Sequence, residues 1–206
     1  MARRAPDALK EVIRDFRREQ IIETSRRIFG ERGTTEVSMD EIATNTGVAR
    51  STLYVYFANR DELLKACVQS MYDELSEAFA LVFEEDSTAL ERLGAVVRGI
   101  LGRIDENPAF FRLAMATQST GAAGSEAVGG ALMLIGLDMI RLLEDIVVRG
   151  IESKTFRADL DVDRAVNLIG QQIYGAISIR AGEPEPVPID LAAGEICDFV
   201  SRGLGG

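Results

Sequence analysis

Apolar residues recur at three- and four-residue intervals along almost the whole chain, and no stretch of β-branched residues alternates at period two. A chain patterned this way offers helical stripes but no strand face to bury, so the expected fold is all-α. Its 206 residues, 47% of them hydrophobic, suffice to bury a core as one domain or as a small head on a larger body. Pro6 can open a first helix in which Leu9, Val12, Ile13 and Phe16 make one stripe. A second phase of the pattern follows in Ile21, Ile22, Ser25, Ile28 and Phe29, and Gly33 ends it. Pattern alone leaves open one long helix or an arm followed by a helix.

The next segment carries the most information. Ser38-Met39-Asp40-Glu41 reads as a capping box, opening a short helix with Ile42 and Ala43 on its inner face. Gly47 ends it, because glycine takes φ > 0 without steric cost and so suits a tight turn between helices. Residues 48–57 read as a second short helix, anchored inward by Val48 and Leu53. Ala49, Arg50, Ser51, Tyr54 and Val55 are left facing outward near its start. A short capped helix, a glycine turn and a second short helix rich in Arg, Ser, Thr and Tyr form a helix-turn-helix pattern over residues 38–57. In such units the early residues of the second helix meet base edges in the major groove. Arg50 can donate two hydrogen bonds to guanine. Ser38, Thr52, Tyr56 and Arg60 fall at helix ends and flanks, where hydroxyls and cations hold phosphates.

Asn59 resembles an N-cap, with Asp61 and Glu62 in the first turn of a long helix. Leu64, Cys67, Val68, Met71, Leu75, Ala78, Phe79 and Val82 form its stripe. Beyond Glu84-Glu85-Asp86, Thr88 with Glu91 forms a second capping-box candidate for a helix reaching about Glu106. Asn107-Pro108 opens a short helix, broken at Gly121 to Gly124. A very apolar helix then runs from near Ser125 to near Gly150, and another from about Asp163 to Ala181. Pro184, Pro186 and Pro188 make a stiff connector to a last helix, about Asp190 to Arg202, for about nine helices in all.

Composition excludes several chemistries. With no histidine, imidazole-assisted nucleophiles, His-ligated zinc and ExxH di-iron sites are ruled out. Cys67 and Cys197 are too few and too far apart to suggest a disulfide framework or thiolate metal site. No glycine-rich phosphate loop or ordered carboxylate pair stands out either. The expectation is a protein that is not an enzyme and carries no metal or cofactor. A charged amino-terminal stretch without an apolar core, and no apolar run near the roughly 20 residues of a membrane span, point to a cytoplasmic protein. The formal net charge of −10 is unevenly divided. Residues 1–66 carry twelve basic and eleven acidic side chains, whereas the remainder carries eleven and twenty-two. The segment with the helix-turn-helix pattern is thus the one that carboxylates do not dominate.

These residues carry a resemblance. The runs Ile28-Phe29-Gly30-Glu31-Arg32-Gly33, Val37 through Ala43, Gly47 through Phe57, and Arg60-Asp61-Glu62-Leu63-Leu64 closely resemble the tetracycline-repressor-like (TetR) family of transcriptional regulators. The match is ordered over about residues 16–66; the rest resembles the family in helix number and length only. The resemblance implies a homodimeric, one-component regulator, a repressor, with two parts. A helix-turn-helix DNA-binding domain over residues 1–66 would grip a palindromic operator in double-stranded DNA. An effector-binding and dimerisation domain over residues 67–206 would release or reposition the heads when a small molecule binds. Arg50, Ser51 and Tyr54 would lie toward bases, and Ser38, Thr52, Tyr56 and Arg60 toward the backbone. Arg60 stands where the family usually has lysine, which keeps the charge and changes the donor geometry.

Other expectations follow from periodicity and chemistry. Phe110, Phe111, Met115, Met133, Met139 and Tyr174 are candidates to line an effector pocket, or are ordinary core. Ile169, Ile173 and Ile177 on one helix, with Ile196, Phe199 and Val200 on the next, are candidates for a dimer interface, or pack inside their own chain. Asp138 faces a cationic ligand, pairs with Arg141, or meets solvent. The acidic body favours an apolar, neutral or cationic effector. Residues 6–18, with Arg3, Arg4, Arg14, Arg17 and Arg18, either reach DNA or form a solvated surface helix. An effector-independent DNA-binding or protein-interaction module of the same fold is the alternative reading of function.

Overall fold

The computed structural model describes residues 5–33, 36–80, 87–113 and 125–205. Among these, the regular structure is entirely helical. The helices are α1 (Ala5–Arg32), α2 (Met39–Thr46), α3 (Arg50–Tyr56), α4 (Arg60–Ala80) and α5 (Ala89–Glu106). There follow α6 (residues 108–113), α7 (Ser125–Glu152), α8 (Val162–Gly182) and α9 (Ile189–Leu204).

The open question at the amino terminus resolves as one continuous α1. Its second half supplies Ile21, Ile22, Ile28 and Phe29 to the core and packs on α2 and α4. Its first half leaves Leu9, Val12, Ile13 and Phe16 exposed. The head closes around Ile42, Leu53, Phe57 and Leu63, all essentially without solvent contact. The long α4 is shared: it packs on α1 in the head and on α5 and α7 in the body. Residues 66 and 67 lie inside this helix, so head and body share an element and have no loop linker there.

The body is built around α5, which touches α4, α7, α8 and α9. Thr88 caps α5 with the full capping box: its hydroxyl accepts from the Glu91 N–H, and the Glu91 carboxylate accepts from the Thr88 N–H at 2.8 Å. Leu93, Val96, Val97, Ile100 and Ile104 line its buried face. Arg180 of α8 is buried and locks the far end. It donates to both Asp105 oxygens at 2.6 and 2.5 Å, and to the Val187 carbonyl of the proline connector at 2.7 Å.

Candidate nucleic-acid interface

The helix-turn-helix assembles from local rules. The Ser38 hydroxyl accepts from the Glu41 N–H at 3.2 Å, starting α2. Gly47 closes α2 at φ 68°, and the N–H groups of Gly47 and Val48 return to the carbonyls of Thr44 and Ala43. A side chain in place of the Gly47 hydrogen meets a backbone conformation that disfavours it. Helix α3 begins at Arg50, two residues later than the apolar pattern predicts. Val48 lies in the turn, half-buried, and Ala49 is an extended N-cap. Leu53 pins α3 to the head, buried completely.

That anchoring decides which side of α3 faces outward. Arg50, Ser51, Tyr54 and Val55 are exposed, as expected, and Ser38 is exposed at the start of α2. Thr52, Tyr56 and Arg60 are half-buried along the rim of this face. The seven residues expected to meet DNA therefore occupy the outer face and rim of the helix-turn-helix. Sequence reasoning missed Asp40. Its carboxylate accepts from Arg50 at 2.9 Å, while the same guanidinium lies 5.7 Å from the centroid of the Tyr54 ring. The Tyr54 hydroxyl and the Asp40 charge both hold the Arg50 proton more firmly. Arg50 is thus held in place at the protein surface, on a side chain that is still 62% exposed. The ten-residue separation of Asp40 and Arg50 matches no helical spacing, so only the crossing of α2 and α3 brings them together.

Other expectations divide differently. Phe110 and Phe111 are buried in the core, and Phe110 lies under the Arg26 guanidinium, 5.7 Å from its ring centroid. Met139 is half-buried, Met133 and Tyr174 are exposed, and Met115 lies outside the described residues. The described members are therefore divided between core and surface. The interface stripe divides between the two readings given for it. Ile169, Ile173, Ile196 and Val200 turn into their own chain's core and Ile177 is half-buried against it, so only Phe199 of the six is exposed. The reason is that α8 and α9 must cover α5 and α7, and their most aliphatic stripes do so. Their opposite sides keep Leu168, Ile179, Leu191 and Phe199 exposed. A groove of about 520 Å³ lies there, bordered by Gly175, Ala176, Ile179, Ala192 and Phe199. Asp138 accepts from the Tyr72 hydroxyl at 2.7 Å, joining α7 to α4, and stands 3.7 Å from Arg141. Tyr72 sits on α4, 66 residues away, and no spacing rule pairs them.

A polar contact between head and body also escaped the sequence. Arg26 of α1 is buried and donates to Glu74 of α4 at 2.5 Å, beside the Phe110 ring. Gly30, one turn on, passes so close to α6 that an added Cβ would lie 2.6 Å from the Phe110 nitrogen.

Comparison with known proteins agrees with this geometry. Residues 21–67 match the family model of bacterial regulatory proteins, tetR family. The fatty acid metabolism regulator protein of Bacillus subtilis is 27% identical over 160 residues, covering 77% of this chain and 78% of that protein. The HTH-type transcriptional regulator BetI of Rhizobium meliloti is 30% identical over 82 residues, and that match spans 40% of each protein. Among solved structures, the ketosteroid regulator KstR2 of Mycobacterium tuberculosis superposes with a TM-score of 0.69 at 22% identity, over 92% of this chain and 95% of that one. The FadR regulator of Bacillus subtilis, solved with stearoyl-CoA, gives a TM-score of 0.70 at 21% identity, over 90% and 98%. No helix among the described residues is long and apolar enough to cross a membrane. Residues 21–67 thus carry the helix-turn-helix of bacterial regulatory proteins of the tetR family, on an all-α fold matched nearly end to end among solved structures.

Proposed function

We propose that this regulator is a repressor that binds a palindromic operator as a homodimer and leaves it when an apolar small molecule occupies the body. The observation that carries the DNA-binding half is the outward face of α3, where Arg50, Ser51 and Tyr54 stand exposed around a completely buried Leu53. On an operator, Arg50 exchanges its Asp40 contact for guanine, and Ser51 and Tyr54 approach neighbouring bases. Ser38, Thr52, Tyr56 and Arg60 hold the backbone. Two heads on consecutive major grooves stand about 34–36 Å apart, so the operator has two half-sites.

The dimer reading rests on the outer sides of α8 and α9. Ile179 and Phe199 flank a groove whose border includes Gly175, Ala176 and Ala192, small residues that leave room for a partner's side chain. A twofold interface there is self-complementary, each copy lending Phe199 or Ile179 to the other's groove. This replaces the inward stripe of Ile169, Ile173 and Val200 as the candidate interface.

For the effector, the FadR structure with stearoyl-CoA suggests an acyl thioester, whereas the acidic body of this chain favours neutral or cationic apolar compounds. Effector binding acts only through unequal affinity for the operator-bound and free conformations. Helix α4, with the Arg26–Glu74 pair, is the shared element through which body and head communicate. The experiment is fluorescence anisotropy on a promoter fragment and on random DNA, with and without stearoyl-CoA and an uncharged long-chain ester. Arg50→Ala is expected to lose about 1–3 kcal/mol on the operator and to relax preference at one position per half-site. Equal losses on operator and random DNA would refute the base-reading role. If no compound shifts the operator curve or the melting temperature, the effector-independent module is the correct reading.

A further inference from the structure

The first half of α1 is an amphipathic helix whose apolar side none of the described residues covers. Leu9, Val12, Ile13 and Phe16 recur at helical spacing and are 61, 64, 49 and 63% exposed. At 3.6 residues per turn they share one seam, and the face centred on Ile21, Ser25 and Phe29 lies about half a turn around the same helix. The head therefore sits on the far side of α1 and cannot fold back over the seam. No described residue covers it, so a covering partner has to match its flanks.

The flanks of the seam say what that is. On one side run Lys10, Arg14 and Arg17; on the other run Glu11, Asp15 and Glu19. Two such helices can face each other seam to seam in either of two orientations. With the twofold axis across them, the helices are antiparallel and each row meets its own kind. With the axis along them, the helices are parallel and the basic row of one meets the acidic row of the other. Charged rows flanking an apolar seam set partner and orientation in this way. DNA fits less well, since three carboxylates accompany the three cations and the apolar seam offers nothing to a phosphate. A membrane surface fits less well too, because helices that lie on bilayers carry a polar face rich in Lys and Arg.

We propose that the α1 extension is a self-association site: two copies of this chain pair through Leu9, Val12, Ile13 and Phe16 as a parallel helix pair. Such a pair sets two heads side by side, closer than the roughly 34–36 Å that consecutive grooves require. Given the α8–α9 dimer proposed above, the two copies therefore come from different dimers. The surface joins neighbouring dimers, as on adjacent operators.

Site-directed disulfide formation tests the pairing in the full chain. Leu9→Cys and Phe16→Cys proteins, each alone under mild oxidant, are expected to form 9–9 and 16–16 links, with few 9–16 links on mixing. Predominant 9–16 links, or links no more frequent than from a cysteine placed at Arg18 on the opposite face, overturn the proposal. Sedimentation of the unmodified chain is expected to show species larger than the dimer, weakened about tenfold or more by Leu9→Asp with Phe16→Asp. Reversing the basic row alone (Lys10, Arg14 and Arg17→Glu) is expected to weaken association, and reversing the acidic row as well to restore it. Failure of the double reversal to restore it overturns the charge argument. Links that persist in an Ile179→Asp, Phe199→Asp protein separate this site from the α8–α9 interface, and their disappearance there counts against it. Should the row reversal lower operator affinity with sedimentation unchanged, DNA is the partner. Should the seam variants lose only flotation with phosphatidylglycerol vesicles, a membrane is. Either result overturns the proposal.

Discussion

Arg180 shows how one buried charge can tie three parts of the body together. It reaches Asp105 on α5 with two hydrogen bonds and the Val187 carbonyl of the connector with a third. These contacts hold its proton more firmly, the hydrogen bonding to Asp105 outweighing the opposing effect of burial. Arg180→Met should lower stability by about 2–3 kcal/mol, less than for a wholly buried pair because Asp105 keeps part of its hydration. A shift of the urea midpoint with unchanged slope checks it. Cys67 is a second case. Burial pushes its thiol up to about 12, against the opposing pull of Arg26 and Arg18. The folded value lies above the unfolded one, so this contribution is complete at neutral pH and is lost as pH rises from 9.0 toward 12. The stability advantage of the native chain over Cys67→Ala should therefore shrink in alkaline urea titrations. An advantage that stays constant up to about pH 11 would contradict the shift. Gly47 is the third: Gly47→Ala must hold φ near 68° with a Cβ, at a cost of about 1–2 kcal/mol visible in thermal unfolding.

At the scale of elements, caps and turns were largely legible and packing partners were not. Ser38, Gly47 and the Thr88–Glu91 box act within three or four residues of chain, so their chemistry is written locally. Hydrogen bonds from the Thr88 N–H, then from its hydroxyl, hold the Glu91 carboxyl below its usual range. This contribution is present at neutral pH and lost as pH falls through the lowered value. Glu91→Gln should destabilise the chain at pH 7 and approach the native stability in acid, which chemical denaturation at a series of pH values would show. Helix α3 starts two residues later than its apolar pattern predicts, because Val48 fits an apolar stripe whether it lies in a helix or, as here, in the turn. The contact of α1 with α6 was invisible. Gly30 lies there because α6 backbone passes where its Cβ would be, and no local signal marks that approach. Gly30→Ala should push α6 from α1, costing about 1–3 kcal/mol and altering operator affinity through the head–body contact. Unchanged operator binding would separate stability from coupling.

For the whole molecule, the arrangement of α8 and α9 sets the predicted assembly. Ile179→Asp with Phe199→Asp, in a chain that also carries Leu9→Asp and Phe16→Asp, should convert the proposed dimer to a monomer in sedimentation and lower operator affinity by far more than it lowers binding to a single half-site. Arg60→Ala should reduce the slope of log affinity against log salt by about one, with sequence preference intact. The chain's own residues determined the all-α class, the cap at Ser38, the turn at Gly47 and the outward Arg50, because helical spacing and backbone capping act over a few residues. Tertiary structure alone decided that Ile169, Ile173 and Val200 turn inward while Ile179 and Phe199 stay out, and that Asp40 meets Arg50, Tyr72 meets Asp138 and Arg26 meets Glu74. An apolar stripe states that a face must be covered. Which helix covers it depends on how the other helices have already packed.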